Sequence, residues 1–260
     1  MNYNYHTHTY RCHHASGRER EYIEAAIAAG VRRMGFSDHA PFTFPDGYQS
    51  PFRVQEKDVA DYFDTLRALR EEYKEKITLL IGFEMEYYPQ HFEKMLETAK
   101  TAGAEYLILG QHYIGNEHPN GSPTYKNFDS TAKEGLCEYA DCVVAGIERG
   151  VFTYVAHPDI YSFDGDIEFY RQEMRRICLA AKRTGTPLEI NFLGIREKRA
   201  YPREAFWQLV GETGAPVTCG MDAHRPKDAG DTASLSVAMK LVEKYDLNYI
   251  GEPTPILLQN

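Results

Sequence analysis

The sequence predicts an α/β fold, a TIM-like parallel barrel of seven strand-then-helix units, in a single domain over residues 1–260. Three observations lead there. Short apolar runs alternate with longer amphipathic runs along the whole chain, the pattern of βαβ units and a parallel sheet. The connections are short, and no Gly/Ser-rich or Pro-rich linker divides the chain. The 260 residues suit one α/β barrel, which commonly runs to about 250. A doubly wound open sheet is the competing arrangement. It would scatter the polar residues that close each strand, whereas a barrel gathers them at one mouth.

Residues 2–6 form the first predicted strand. A helix over 19–30 follows, with Gly30 as its stop. A strand around 34–37 runs into Asp38-His39-Ala40-Pro41, which opens a loop rich in Pro, Phe and Tyr to about residue 54. A long helix over 55–75 precedes the apolar strand from Ile77 to Met85, and helix 90–102 stops at Gly103. Strand 106–110 ends in Gln111-His112-Tyr113, and a polar loop covers about 113–129. Helix 131–149, strand 152–156, helix 166–184 and strand 187–191 come next. A loop carrying Arg196 and Arg199 leads to helix 203–213 and strand 216–220. A helix over 233–245 and a short tail close the chain.

Composition narrows the function. The net charge is −9 with no run of basic residues, which argues against a nucleic-acid binder, since affinity for phosphate backbones comes from clustered Lys and Arg. A small anionic substrate still fits if metals and a few arginines supply local positive charge. The five cysteines are odd in number, scattered and free of any CxxC pair, so a disulfide framework is not expected and a reducing, cytoplasmic setting is. No basic-then-apolar leader opens the chain, and no apolar run approaches about 18 residues, so neither a secretory signal nor a membrane span is expected. Nothing in the sequence signals an oligomeric state.

The chemistry-bearing residues share a topological position. His6 and His8 stand two apart at the end of the first strand, on one face because strand side chains alternate. His39 follows the second strand, Glu84 ends the third, His112 follows the fourth and His157 the fifth, while Asp222 and His224 follow the last. In a parallel barrel these ends meet at one mouth, where barrel enzymes place their chemistry. Imidazole is the commonest protein ligand for transition metals. His91 and His118 read as surface or packing residues, Asp38 as a local hydrogen-bonding group, and Cys12 as a packed thiol near the site.

These residues carry a family resemblance. His6-Thr7-His8 with His14 resembles the opening motif of the polymerase and histidinol phosphatase (PHP) superfamily. Gly35-Phe-Ser-Asp-His39, Gly82-Phe-Glu-Met-Glu86, Gly110-Gln-His112, Ala156-His-Pro-Asp159 and Gly220-Met-Asp-Ala-His224 resemble its later motifs in order. Within the superfamily the chain is most similar to the single-domain histidinol-phosphate phosphatases, through Thr9-Tyr-Arg-Cys12, His14-Ala-Ser-Gly17, the aromatic loop after Pro41 and Asn191-Phe-Leu-Gly-Ile-Arg196. The resemblance implies a distorted barrel of seven βα units holding three divalent metal ions. His6, His8, Glu84 and Asp222 would bind the first ion. Glu84, His112 and His157 would bind the second, with Glu84 bridging, and His14, His39 and His224 the third. His13 stands where this subfamily would be expected to have a small residue.

What the resemblance implies for chemistry is metal-dependent hydrolysis of a phosphomonoester, L-histidinol phosphate, in histidine biosynthesis. Metals neutralise phosphoryl oxygens, lower the pKa of a bound water and align it for in-line attack. Glu84, Asp222, His39 and His224 are the expected catalytic groups. Imidazole with carboxylate suits zinc, iron or manganese, and no HExxH helix suggests a zincin protease. On the substrate side Arg196 is the first choice, because a guanidinium grips phosphate as a fork. Arg53, Arg199 and Arg225 follow. Glu86, Phe42, Phe44 and Tyr48 are candidates to flank an ammonium or imidazole, and Asn191 to orient the site. The competing readings are a PHP phosphoesterase acting on another small phosphorylated metabolite or nucleotide, and a metal-binding module without catalysis.

Overall fold

A computed structural model describes residues 1–118, 122–123 and 131–258. The predicted polar loop lies largely outside these residues. Strands β1 (Tyr3–Asn4), β2 (Arg33–Phe36), β3 (Thr78–Met85) and β4 (Tyr106–Leu109) pair side by side in chain order, all parallel. Helices α1 (Glu19–Ala28), α2 (Val59–Tyr73) and α3 (Phe92–Ala102) connect them. The helix predicted over 55–75 starts as a 3-10 turn at Glu56–Asp58 and becomes α-helical only from Val59. A small antiparallel hairpin, β5 (Tyr113–Ile114) with β6 (Ser122–Pro123), precedes α4 (Lys133–Glu148).

The predicted strand at 152–156 is reduced to single bridges. Val155 bridges Leu109 on one side and Leu188 on the other, both parallel. Its hydrogen bonds still run as a ladder, Ala156 N to Leu109 O at 2.8 Å and Glu189 N to Val155 O at 2.9 Å, so this segment occupies a strand position. Helix α5 (Ile167–Thr184) follows, started by the Asp166 carboxylate, which accepts from the N–H groups of Glu168 and Phe169. Then come β7 (Leu188–Asn191), α6 (Phe192–Glu197), α7 (Glu204–Thr213), β8 (Pro216–Gly220), α8 (Ala233–Lys244) and β9 (Asn248–Tyr249). Arg196 therefore sits on a short helix rather than in a loop.

The ring closes where β8 returns to β1. Thr7 bridges Ala223 in parallel, with His8 N bonded to Ala223 O at 2.9 Å. At the other end of this seam β9 pairs with the start of β8, and Tyr3 OH donates to Gly251 O at 2.7 Å. The barrel is thus distorted: drawn shut at the strand C-termini and wedged at the N-termini by the tail.

Two packed layers hold it. The larger buries the outward faces of the strands against the helices, with Phe36, Leu79, Leu107, Leu109, Val155, Ile190 and Trp207 among its residues. The smaller fills the barrel interior with Tyr3, Tyr5, Tyr106, Ile108, Tyr154 and Ala156. The alternation of Tyr106 and Ile108 inward with Leu107 and Leu109 outward is the period-two pattern of a strand. Tyr106 OH bonds both Tyr5 O at 2.8 Å and Phe36 O at 3.1 Å, so the interior is a solid tyrosine plug beneath the mouth.

Candidate metal centre

Above the plug, the strand ends deliver a set of fully buried polar side chains. Glu84 at the end of β3 is at the centre. Room for its carboxylate comes from Gly110 after β4, where a Cβ would stand 1.9 Å from Glu84 Oε1. Gly220 ends β8 in the same way, where a Cβ would stand 1.7 Å from Glu189 Oε1.

The two oxygens of Glu84 face different partners. Oε2 lies 3.6 Å from His6 Nε2, 3.3 Å from His8 Nε2 and 3.2 Å from His39 Nδ1. Oε1 lies 3.0 Å from His157 Nε2 and 3.5 Å from His112 Nε2. Asp222 Oδ1 faces the first group, 3.5 Å from His6 Nε2, 3.6 Å from His8 Nε2 and 3.2 Å from His224 Nδ1. His6 Nε2 and His8 Nε2 are 3.1 Å apart.

This spacing is that of a coordination shell. Ligands about 2.0–2.1 Å from a tetrahedral ion stand about 3.3 Å from one another. Five separations in this set, His6 to His8 and each of these imidazoles to Glu84 and to Asp222, lie between 3.1 and 3.6 Å. Glu84 Oε2 and Asp222 Oδ1 are buried and have no hydrogen-bond partner among the described residues. A buried carboxylate oxygen left so is costly unless a cation completes it. The donor set therefore fits a metal, and it fits two ions sharing Glu84.

The third group is looser. His14 stacks near His39 and His224, with ring centroids 5.2 and 5.0 Å apart, and its Nδ1 lies 2.6 Å from Cys12 O. Cys12 also stands within ligand range of His8 and His224. Its thiol is buried, donates to Thr9 O at 3.1 Å, and is pushed up in pKa by that burial, which keeps it a protonated, packed group.

Electrostatics favour cation capture. Burial opposes charge on Glu84, but His112, His6 and His39 hold its carboxyl well below the usual range. Asp222 is likewise held low against burial, by His6 and His224. Burial, with His224, lowers His8 to about 3 and His14 to about 4, and burial puts His39 well below its ordinary value. These three imidazoles stay neutral and offer lone pairs. Burial acts against charge on His6 and His112 too, yet the surrounding carboxylates raise both: Asp222 and Glu189 on His6, Glu84 and Glu86 on His112.

Buried groups behind these side chains orient them. His6 Nδ1 is 2.9 Å from Glu189 Oε1. Asn191 donates to Glu189 at 2.8 Å and to Asp222 Oδ2 at 3.0 Å. His112 Nδ1 is 2.8 Å from Glu86 Oε1. Such partners fix the ring and strengthen it as a ligand.

A residue-family model for the PHP domain matches residues 4–192. The chain belongs to the PHP family. A Deinococcus radiodurans protein named a probable histidinol-phosphatase is 28% identical over 231 residues, covering 86% of this chain and 87% of that one. The Lactococcus lactis histidinol-phosphatase is 26% identical over 253 residues, covering 92% and 90%. The crystal structure of the L. lactis histidinol phosphate phosphatase, complexed with zinc, L-histidinol and phosphate, superposes with a TM-score of 0.75 over 99% of both chains at 21% identity. That likeness shows the PHP fold of a distorted α/β barrel.

The nine predicted ligands of this PHP chain, His6, His8, His14, His39, Glu84, His112, His157, Asp222 and His224, all reach the mouth. Eight of them, His8, His14, His39, Glu84, His112, His157, Asp222 and His224, line a cavity of about 630 Å³, and His6 lies buried beneath it. The other walls are His13, Pro51, Phe52, Ile160, Leu193, Glu197, Arg199 and Tyr201.

The predicted substrate arginines need correction. Arg196 does not line the cavity. It donates to Met221 O at 2.8 Å, Asp222 O at 3.0 Å and Asp231 at 3.0 Å, clamping the loop that presents Asp222. Arg53 is fully buried between Glu86 and Glu117, and Glu86 itself turns to His112 instead of the cavity. Arg225 pairs with Asp228 outside the cavity. Arg199 is the arginine on the cavity wall, bonded to Glu197 and Tyr201. Phe42 and Phe44 are core residues packed on each other and on His91, and Tyr48 packs on Phe44 and His118. The aromatic at the site is Phe52, stacked on His39 with centroids 3.9 Å apart. Glu189 escaped the sequence reading, although an acid inside the apolar strand Leu-Glu-Ile-Asn was a signal of a buried partner.

Proposed function

We propose that this chain is a metal-dependent phosphomonoesterase that hydrolyses L-histidinol phosphate to L-histidinol and phosphate. The observation that carries the reading is Glu84, whose two oxygens face separate sets of imidazoles at one barrel mouth. The family membership and the histidinol-phosphatase relatives support the substrate. Residues 1–260 serve as one domain, and its five free thiols suit a reducing, cytoplasmic setting.

His6, His8, Glu84 and Asp222 would hold one divalent ion of the zinc, iron or manganese kind. Glu84, His112 and His157 would hold a second, and His14, His39 and His224 a third. Bound there, the ions would neutralise the phosphoryl oxygens and lower the pKa of an attacking water. The chain's own groups do the rest. Asp222 and the imidazoles of His39 and His224 orient water and ester in the cavity. Hydrolysis adds the water oxygen to phosphorus, breaks the phosphorus–ester oxygen bond and leaves a proton on the departing alcohol.

Arg199 offers a fork to the phosphate, and Glu197 beside it is a counter-charge for the substrate ammonium. Phe52, Leu193, Ile160 and Tyr201 form the apolar wall against which an imidazole ring packs. The test is kcat/KM for L-histidinol phosphate against a panel of sugar phosphates, nucleotide monophosphates and a phosphodiester. The expected result is a clear preference for histidinol phosphate. A better rate on another ester would replace the substrate while leaving the hydrolytic chemistry in place. Elemental analysis of the active protein is expected to give two to three transition-metal ions per chain.

A further inference from the structure

Behind the candidate metal centre lies a cluster of buried charges that does not line the cavity. Arg53, Glu86 and Glu117 are 1%, 0% and 4% exposed, and they come from the segments after β2, β3 and β4. Arg53 donates to Glu117 through Nε and Nη2, the latter at 2.7 Å from Oε2. Its Nη2 also donates to Glu86 Oε2, and its Nη1 to Ala40 O at 2.8 Å. Tyr88 OH donates to Glu117 Oε2 at 2.5 Å. The remaining oxygen of Glu86 faces His112 Nδ1 at 2.8 Å.

One guanidinium thus faces two buried carboxylates, and one negative charge is left over. Glu86 presents that charge to the imidazole of His112. Arg53, anchored by Glu117 on its other side, fixes where the Glu86 carboxylate stands, and Glu86 in turn fixes the His112 ring. Arg53 also follows Phe52 directly, whose ring lies edge-on to His112 with centroids 5.2 Å apart. The same two loops touch a second time at an exposed pair, His118 Nε2 to Asp46 Oδ2 at 2.7 Å, which has no link to a metal ligand.

We propose that Arg53 and Glu117 are positioning residues for metal binding: by sharing one guanidinium between Glu117 and Glu86, they couple the seating of the loop after β4 to the affinity of the ion at His112 and His157. The inference rests on the reading of His112 as a ligand. Coupling of this kind is reciprocal, so the ion also holds the loop.

The experiment is zinc titration of the metal-stripped full chain in competition with a chromophoric chelator. Glu86→Gln keeps an acceptor for His112 and leaves one arginine facing one carboxylate, so the fold is retained. It weakens one zinc of the set about 10–100-fold. Glu117→Gln weakens the same zinc by about three- to tenfold, a smaller effect because it acts through Arg53. Arg53→Lys keeps the charge but loses the fork, and weakens that zinc as well. Asp46→Asn leaves every zinc affinity unchanged. In wild type, zinc slows hydrogen exchange over residues 113–118, and in Glu117→Gln it does so less. Wild-type affinity in Glu117→Gln and Arg53→Lys overturns the coupling, as does an equal loss in Asp46→Asn. A wild-type chain that takes up no zinc at His112 overturns the metal reading itself, and this inference with it.

Discussion

The floor and the rim of the mouth are built differently. The floor, with His6, His8, Glu84, His112, His157 and Asp222, hangs from strand ends and is buried. Three of the six floor residues are held from behind: His6 by Glu189, His112 by Glu86, and Asp222 by Asn191 and the Arg196 clamp on its backbone. The rim, with His13, Glu197, Arg199 and Tyr201, comes from loops and the end of α6, and the Glu197 and Arg199 side chains are each 40% exposed. The floor is fixed by backbone geometry and fits one kind of chemistry. In the proposed function the rim would face the part of the substrate that differs from one phosphate ester to another.

The sharpest way to break this contrast is at Glu84. Glu84→Ala is expected to lower kcat by about 10³-fold or more, since in the proposed function several kcal/mol of charge stabilisation would depend on the ions it would bridge. Circular dichroism should stay near wild type and metal content should fall. Near-normal turnover would rule out a bridging role. Stripping the metals with a chelator is the next largest effect. The floor's carboxylates lose their counter-ions, so the thermal midpoint should drop, with about 3–4 kcal/mol of stabilisation regained when free zinc reaches 100–1,000 times its Kd. An unchanged midpoint would mean the floor folds without need of a cation.

Two arginines then separate floor from rim. Arg196→Ala removes the guanidinium donor shared by Met221 O, Asp222 O and Asp231, and should cost about 2–3 kcal/mol of stability. Arg199→Ala should leave the melting curve in place and reduce kcat/KM by about 10–100-fold, the worth of a charge-assisted bond to phosphate. If Arg196→Ala instead raised KM alone, the assignment of the two would be reversed. The smallest effect belongs to Glu197→Gln. It should narrow the preference for amine-bearing esters over amine-free ones by about tenfold or less, measured as a ratio of kcat/KM. An unchanged ratio would remove Glu197 from substrate recognition.

Much of the floor was legible beforehand, and for a physical reason. A strand fixes side-chain direction by its period of two, and parallel strands share one C-terminal face, so His6, His8, Glu84, His112, His157 and Asp222 could be placed from order alone. At Val155 the predicted strand is held only by single bridges, though it keeps its place in the ring, and β9 was not anticipated. The arginines were less legible. Arg53 and Arg196 carry long, flexible stems, and nothing in their spacing shows whether the fork turns to solvent, to a cavity or to a buried carboxylate. Glu86 was misread for a related reason. It follows Glu84 by two, yet it is Arg53 and His112 that decide where its carboxylate points.

By itself, the sequence determined the alternation of strands and helices, and with it the ring of strand ends that carry the His, Glu and Asp side chains, because backbone periodicity is a local property. Tertiary structure alone decided how those side chains are partnered. Glu189 meets His6 across 183 positions of chain, Glu117 meets Arg53 across 64, and Asp222 reaches Asn191 across 31. Which carboxylate takes an imidazole, which takes an arginine and which is left open for a cation depends on contacts between segments that only the closed barrel brings together.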